Sequence, residues 1–85
     1  MTMSLERLLS ARKKTVGAKQ TQKAVEKSQA KIVYWAADAD GRVVDPILRV
    51  CFSKNIPQVK VDSMKELGKA CGIEVGCAIA SVTED

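Results

Sequence analysis

The sequence predicts an α/β fold, a three-layer α/β/α sandwich around a central four-stranded mixed sheet. Three observations carry that prediction. Helix-periodic and strand-like segments alternate along the chain as α-β-α-β-α-β-α-β, an order that builds a sheet with helices on both faces. The segment Lys31-Ile32-Val33-Tyr34-Trp35-Ala36-Ala37 is almost continuously apolar and rich in β-branched and aromatic residues, as a central strand covered on both sides should be. No repeat, linker or low-complexity stretch interrupts the alternation, so residues 1–85 are expected to fold as one domain.

Each element has its own signal. Leu5, Leu8 and Leu9 recur at i, i+3 and i+4 behind Ser4, a candidate N-cap, and predict a short helix running into Arg12-Lys13-Lys14. Thr15-Val16 is a minimal strand, and Gly17 breaks it. From Ala18 to Ser28, at about 100° per residue, Thr21, Ala24, Val25 and Ser28 gather on one side. Lys19, Gln20, Gln22, Lys23, Glu26 and Lys27 take the other. The first face is made of small residues, so this helix should lie close to its neighbour.

After the apolar strand, Asp38-Ala39-Asp40-Gly41 turns the chain. Asp45-Pro46 predicts a helix start, with Asp45 as N-cap and Pro46 at the first helical position. Ile47, Leu48, Cys51 and Phe52 supply its apolar stripe, and Asn55 with Pro57 ends it. Gln58 to Asp62 alternates as a strand. Ser63-Met64-Lys65-Glu66 reads as a capping box, opening a helix that runs through Leu67 and Cys71 to a left-handed stop at Gly72. A loop, Ile73-Glu74-Val75-Gly76, leads to a last strand from Cys77 to Val82.

Composition narrows the function. The first residues lack the apolar stretch of a secretory signal, and no run reaches the length of a membrane helix; a cytoplasmic protein without a membrane partner is expected. The three cysteines show no Cys-x-x-Cys spacing and there is no histidine, so Cys51, Cys71 and Cys77 are read as buried, reduced thiols, with no metal and no cofactor. An enzyme is not expected, because the commonest general acid/base is missing. Asp38 and Asp40 could share a magnesium ion in a small nuclease, but two turn residues are the simpler reading. Gly68, Gly72 and Gly76 do not follow a strand in a phosphate-loop pattern, and each has a plain structural task.

Charge points towards a polyanion. The formal net charge is +4, and Arg7, Arg12, Lys13, Lys14, Lys19, Lys23, Lys27 and Lys31 crowd the first third against Glu6 and Glu26. Within that third, Gly17-Ala18-Lys19-Gln20-Thr21-Gln22-Lys23 is the candidate contact. A glycine admits a close backbone approach, and the helix that follows offers free amides to phosphate. Lys19 and Lys23 project side by side at i and i+4 with Gln20 next to them; lysine donates to guanine O6 and N7, and glutamine can donate and accept at a base edge. Lys13 and Lys14 are expected to touch phosphate alone. Tyr34-Trp35 can be read as a base-stacking platform or, more simply, as core. A basic face that merely solvates a protein–protein adaptor remains the alternative.

Three stretches carry a family resemblance: Gly17-Ala18-Lys19-Gln20-Thr21-Gln22-Lys23-Ala24-Val25, Ala30-Lys31-Ile32-Val33 with Ala36-Ala37-Asp38-Ala39-Asp40, and Glu66-Leu67-Gly68-Lys69-Ala70-Cys71-Gly72-Ile73-Glu74-Val75-Gly76. On these the sequence resembles the kink-turn-binding ribosomal proteins called seven-Ae and thirty-e, and most of all their short bacterial-type members. The resemblance spans nearly all of Thr15 to Val82. It implies an α/β/α sandwich, ribosome association, and a partner RNA with a kink-turn (ribosomal RNA or an mRNA leader); nothing in the sequence suggests an obligate dimer, so a monomer is expected. By position, Lys19, Gln20 and Lys23 would read the guanines of tandem sheared G·A pairs, with Gly17 and Ala18 in the same RNA-binding stretch, and Ile73, Glu74 and Val75 would cover a splayed nucleotide. Archaeal seven-Ae members carry Asn-Glu where this chain has Lys19-Gln20; an amide in place of a carboxylate acceptor changes which base edges are satisfied, and affinity for a standard kink-turn is still expected.

Overall fold

The computed structural model describes residues 3–85, with side chains from Leu5 onward. The elements are α1 (Met3–Ser10), β1 (Lys13–Val16), α2 (Ala18–Glu26), β2 (Ile32–Ala36), α3 (Gly41–Ser53), β3 (Gln58–Val61), α4 (Met64–Cys71) and β4 (Ile79–Glu84). The sheet order is β1-β4-β2-β3. β4 runs antiparallel to both neighbours while β2 and β3 are parallel, so β1, β2 and β3 point one way and β4 the other. This is the expected four-stranded mixed sheet, with helices on both faces as the alternation predicts.

Alternation along the central strands divides the core in two. Ile32, Tyr34, Ala36, Ala80 and Val82 meet Leu8 of α1 and Leu67, Ala70 and Cys71 of α4 on one face. Val33 and Ile79 meet Ala24 and Val25 of α2 and Val44, Ile47 and Cys51 of α3 on the other. Tyr34 is fully buried, and burial raises its phenol pKa, so the aromatic pair is centred in the core, with Trp35 half-buried beside it. All three cysteines are free and buried. Among the described residues, no helix is long and apolar enough to cross a membrane.

Most boundaries fall where the sequence puts them. Ser63 accepts from the Glu66 amide at 3.1 Å, and Gly72 takes the left-handed conformation at φ 81°. The expected cap at Ser4 falls on a side chain outside the described ones, and the helix there begins at Met3. The last strand lies two residues further on than expected at both ends. Ser28, expected on the buried face of α2, lies past its end at φ 58° and is exposed. There Lys54 donates to the Glu26 carbonyl (3.0 Å) and the Ser28 hydroxyl (2.8 Å), so a cation closes the C-terminus of α2.

The start of α3 is the clearest departure. Asp40, not Asp45, is the N-cap: its carboxylate accepts from the Arg42 amide at 2.9 Å, and Pro46 lies inside the helix. The extra turn buries Val44, and the stripe becomes Val44, Ile47 and Cys51. Phe52, rotated about 100° from Cys51, is left 81% exposed. Pro46 has no amide to give the Arg42 carbonyl, but both residues are exposed, so water can satisfy it.

The Asp40 cap makes a prediction. Hydrogen bonds from the Arg42 side chain and backbone hold its carboxyl below the ordinary value of 3.8. The stabilisation is therefore complete above that unfolded-state value and is lost as pH falls through the lower folded-state one. Asp40→Asn keeps the cap acceptor but cannot titrate. Thermal unfolding from about pH 5 to about pH 2 should fall less steeply for the variant than for wild type. Parallel curves would mean the cap carries no linkage.

Candidate nucleic-acid interface

β1, β2 and β3 share a direction, so the helices after them start at the same end of the sheet. The loop before β4 arrives there too, because β4 runs back from it. The N-termini of α2, α3 and α4 and residues 72–78 are thereby collected at one end.

At α2, Gly17 has φ 93° and ψ 164°, a conformation that side chains with a Cβ rarely adopt. Its amide donates to the Ile79 carbonyl at 2.9 Å, which locks the start of α2 to the start of β4. No side chain caps the helix. A Cβ built on Gly17 meets nothing within 4 Å, so the space in front of the backbone is open. Beneath the first turn, the Thr15 hydroxyl bonds to Thr21 (2.8 Å) and Ser81 (2.6 Å), tying β1, α2 and β4 together.

Gln20 turns back on the strand before it. Its Oε1 accepts from the Val16 amide at 3.2 Å, which orients the side-chain NH2 group as the free donor. Lys19 and Lys23 are exposed and neither has a hydrogen-bond or ion-pair partner among the described residues. Glu26, the acid on this helix, accepts from Gln22 at 3.1 Å, further along α2.

The loop after α4 is anchored at both ends. The Ile73 amide bonds to the Gly68 carbonyl and the Cys77 amide to the Met64 carbonyl, each at 3.0 Å. Gly68 lies against the loop so closely that a Cβ there would overlap the Val75 carbonyl oxygen, and a Cβ on Gly76 would come within 3.1 Å of Met64 Cβ. Ile73 tucks partly into the core. Glu74 is exposed, and Val75 is 69% exposed. The loop therefore splits: Ile73 anchors it, while Val75 offers an apolar surface to solvent.

The structure brings Gly17, Ala18, Lys19, Gln20 and Lys23 to the end of the sheet that also carries Ile73, Glu74 and Val75. It does not gather the rest of the basic third around them. Lys13 lies at the far end of β1, opposite Glu84. Arg7 forms two hydrogen bonds to Asp85, at 2.8 and 3.0 Å, and Lys31 is 4.0 Å from the same carboxylate. Lys14 donates to the Leu9 carbonyl at 3.3 Å.

Asp38 and Asp40 are both engaged. Asp38 Oδ1 accepts from the Met64 amide at 2.8 Å, fastening the β2–α3 turn to the start of α4, and Asp40 caps α3. No group of three or more potential metal ligands occurs among the described residues. Sequence reasoning missed the supporting role of Gly68. The signal was available: glycine inside a helix costs about 1 kcal/mol against alanine, which marks a close approach.

Comparison with known proteins places the chain among RNA-binding relatives. An RNA-binding protein of Geobacillus sp. (strain WCH70) is 45% identical over 80 residues, covering 94% of this chain and 98% of that one. The RNA-binding protein YbxF of Geobacillus stearothermophilus is 42% identical over the same shares. Among solved structures, the Giardia lamblia 15.5kD RNA binding protein superposes with a TM-score of 0.84 at 30% identity, over 95% of this chain and 68% of that one. The model of the ribosomal protein L7Ae/L30e/S12e/Gadd45 family matches residues 2–85, and the chain belongs to that family.

Proposed function

We propose that this chain is a non-enzymatic RNA-binding protein whose target is a kink-turn, in ribosomal RNA or an mRNA leader, bound in the cytoplasm by a monomer. The observation that carries the reading is the pairing of two unlike surfaces at one end of the sheet. One is the uncapped start of α2 with unpartnered Lys19 and Lys23; the other is the exposed, apolar Val75 on a loop braced from below. Amides and ammonium groups suit phosphates and guanine edges, and an exposed valine suits the face of an unstacked base. The names of the relatives support RNA as the ligand.

The contacts within the chain support a role for each residue. Gly17 and Ala18 admit the backbone of the RNA; Lys19 and Lys23 donate to guanine O6 or N7; Gln20 donates through its NH2 group because its oxygen faces Val16. Ile73 holds the loop in place, and Glu74 and Val75 close over one nucleotide. The adaptor reading leaves the exposed Val75 beside free lysines unexplained. The nuclease reading needs Asp38 and Asp40, whose carboxylates already serve two helix starts.

The test is a pair of titrations at one salt concentration. RNA with tandem sheared G·A pairs should bind at least about tenfold more tightly than the same RNA with those pairs made Watson–Crick, given ~1–3 kcal/mol per lost base contact. Equal affinity for both would leave a generic basic protein and remove the kink-turn reading.

A further inference from the structure

Five residues, Gly72 to Gly76, separate Cys71 at the end of α4 from Cys77 before β4, and the candidate nucleotide-covering loop lies between the two thiols. Both thiols are buried in the same cluster of the α1–α4 core, close enough for each to perturb the other's acidity. Cys77 also touches the other half of the candidate interface. Its thiol donates to the Ile79 carbonyl at 3.1 Å, the same oxygen that receives the Gly17 amide. The cover over the pair is thin, since Gly72, Glu74, Val75 and Gly76 are all exposed. Local opening of these five residues is the route by which an oxidant reaches both thiols.

We propose that Cys71 and Cys77 form a redox-active dithiol whose oxidation to a disulfide weakens RNA binding. This rests on the RNA reading above. Reducing compartments keep structural thiols reduced, and the disulfides that do form there are transient and sensing ones. The oxidant is a low-molecular-weight disulfide, RSSR. The Cys77 thiolate attacks one sulfur, giving Cys77–S–S–R and releasing RS⁻, which takes the proton Cys77 lost. Cys71 then attacks the Cys77 sulfur, expels the second RS⁻ and passes its own proton to it. Two protein thiols become one disulfide, and one RSSR becomes two RSH. Cys77 is written as the first attacker because the neighbouring Cys71 thiol favours thiolate there despite burial, while Cys71 itself is pushed up; the net reaction is the same in either order.

The coupling to RNA is geometric. A disulfide brings the two sulfurs to about 2 Å, which draws Cys77 away from Ile79 and Gly17 towards α4. The loop cannot follow inward, because the Val75 carbonyl already lies against Gly68 and Gly76 against Met64. Val75 must therefore move relative to Lys19 and Lys23. Because the coupling is reciprocal, bound RNA should resist oxidation by the factor that oxidation weakens binding.

The experiment uses the whole chain and glutathione disulfide as the oxidant. After treatment, the protein is denatured and alkylated, and its intact mass and its 71–77 cross-link are read by mass spectrometry. Reduced protein should take up three alkyl groups and oxidised protein one, at Cys51. Oxidised protein should bind the G·A-containing RNA roughly tenfold more weakly, the scale of one lost base contact, with recovery on adding dithiothreitol. Cys51→Ala should behave as wild type, and Cys71→Ala should lose the oxidant sensitivity. Three alkylated thiols after treatment, a stable glutathione adduct, or a bridge with unchanged or tighter binding would each overturn the proposal. Failure of the reduced protein to bind that RNA removes the RNA reading and the coupling with it, while the alkyl count still decides whether the pair closes.

Discussion

Gly68→Ala should unfold more easily by about 1–3 kcal/mol, the usual cost of overpacking, and should bind kinked RNA more weakly than its lost stability explains. Two effects oppose each other at this position. Alanine is the better helix former by about 0.8–1.0 kcal/mol. Against that, its methyl group would overlap the Val75 carbonyl, which is backbone and cannot rotate away. The loop must lift, and lifting strains the Ile73–Gly68 and Cys77–Met64 hydrogen bonds that anchor it. Urea unfolding gives the first loss and RNA titration under folding conditions the second. Lys69→Ala, one residue on and exposed, is the comparator and should leave stability within about 0.5 kcal/mol. A Gly68→Ala protein as stable as wild type would show that the loop yields freely and braces nothing.

Lys23→Ala should do the reverse, leaving the fold alone and reducing recognition. The side chain is exposed, has no partner among the described residues, and sits on the face of α2 opposite Ala24 and Val25. Its removal should change stability by no more than about 0.5 kcal/mol. If its ammonium meets guanine O6 or N7 in the complex, binding should lose about 1–3 kcal/mol on RNA containing the G·A pairs and much less on plain duplex. Two proteins against two RNAs at fixed salt decide it. Parallel losses would make Lys23 a phosphate contact, and no loss on either RNA would take α2 out of the interface.

These two positions differ in how they could be read. Lys23 is legible because helix periodicity alone separates it from Ala24 and Val25. The order of elements, the capping at Ser63 and the stop at Gly72 are legible for the same reason: each depends on residues within one or two turns of chain. Asp45-Pro46 misled because a local start signal lost to a nonlocal gain. Burying Val44 and capping with Asp40 favoured an earlier turn, which in turn left Phe52 exposed. The basic third was legible as composition but not as a surface, since Arg7 and Lys31 turn to Asp85, at the other end of the sequence.

By itself, then, the sequence determined the alternating architecture, the two apolar faces of the sheet and the chemistry of the α2 start, because periodicity and capping act over short separations. Only the tertiary structure decided that the 73–75 loop shares an end with that start, since the junction is a Gly17–Ile79 hydrogen bond between residues far apart in the chain. Packing alone also settled that Ile73 faces inward and Val75 outward. Ile73 packs partly against the core, while Val75, whose carbonyl lies against Gly68, is left 69% exposed.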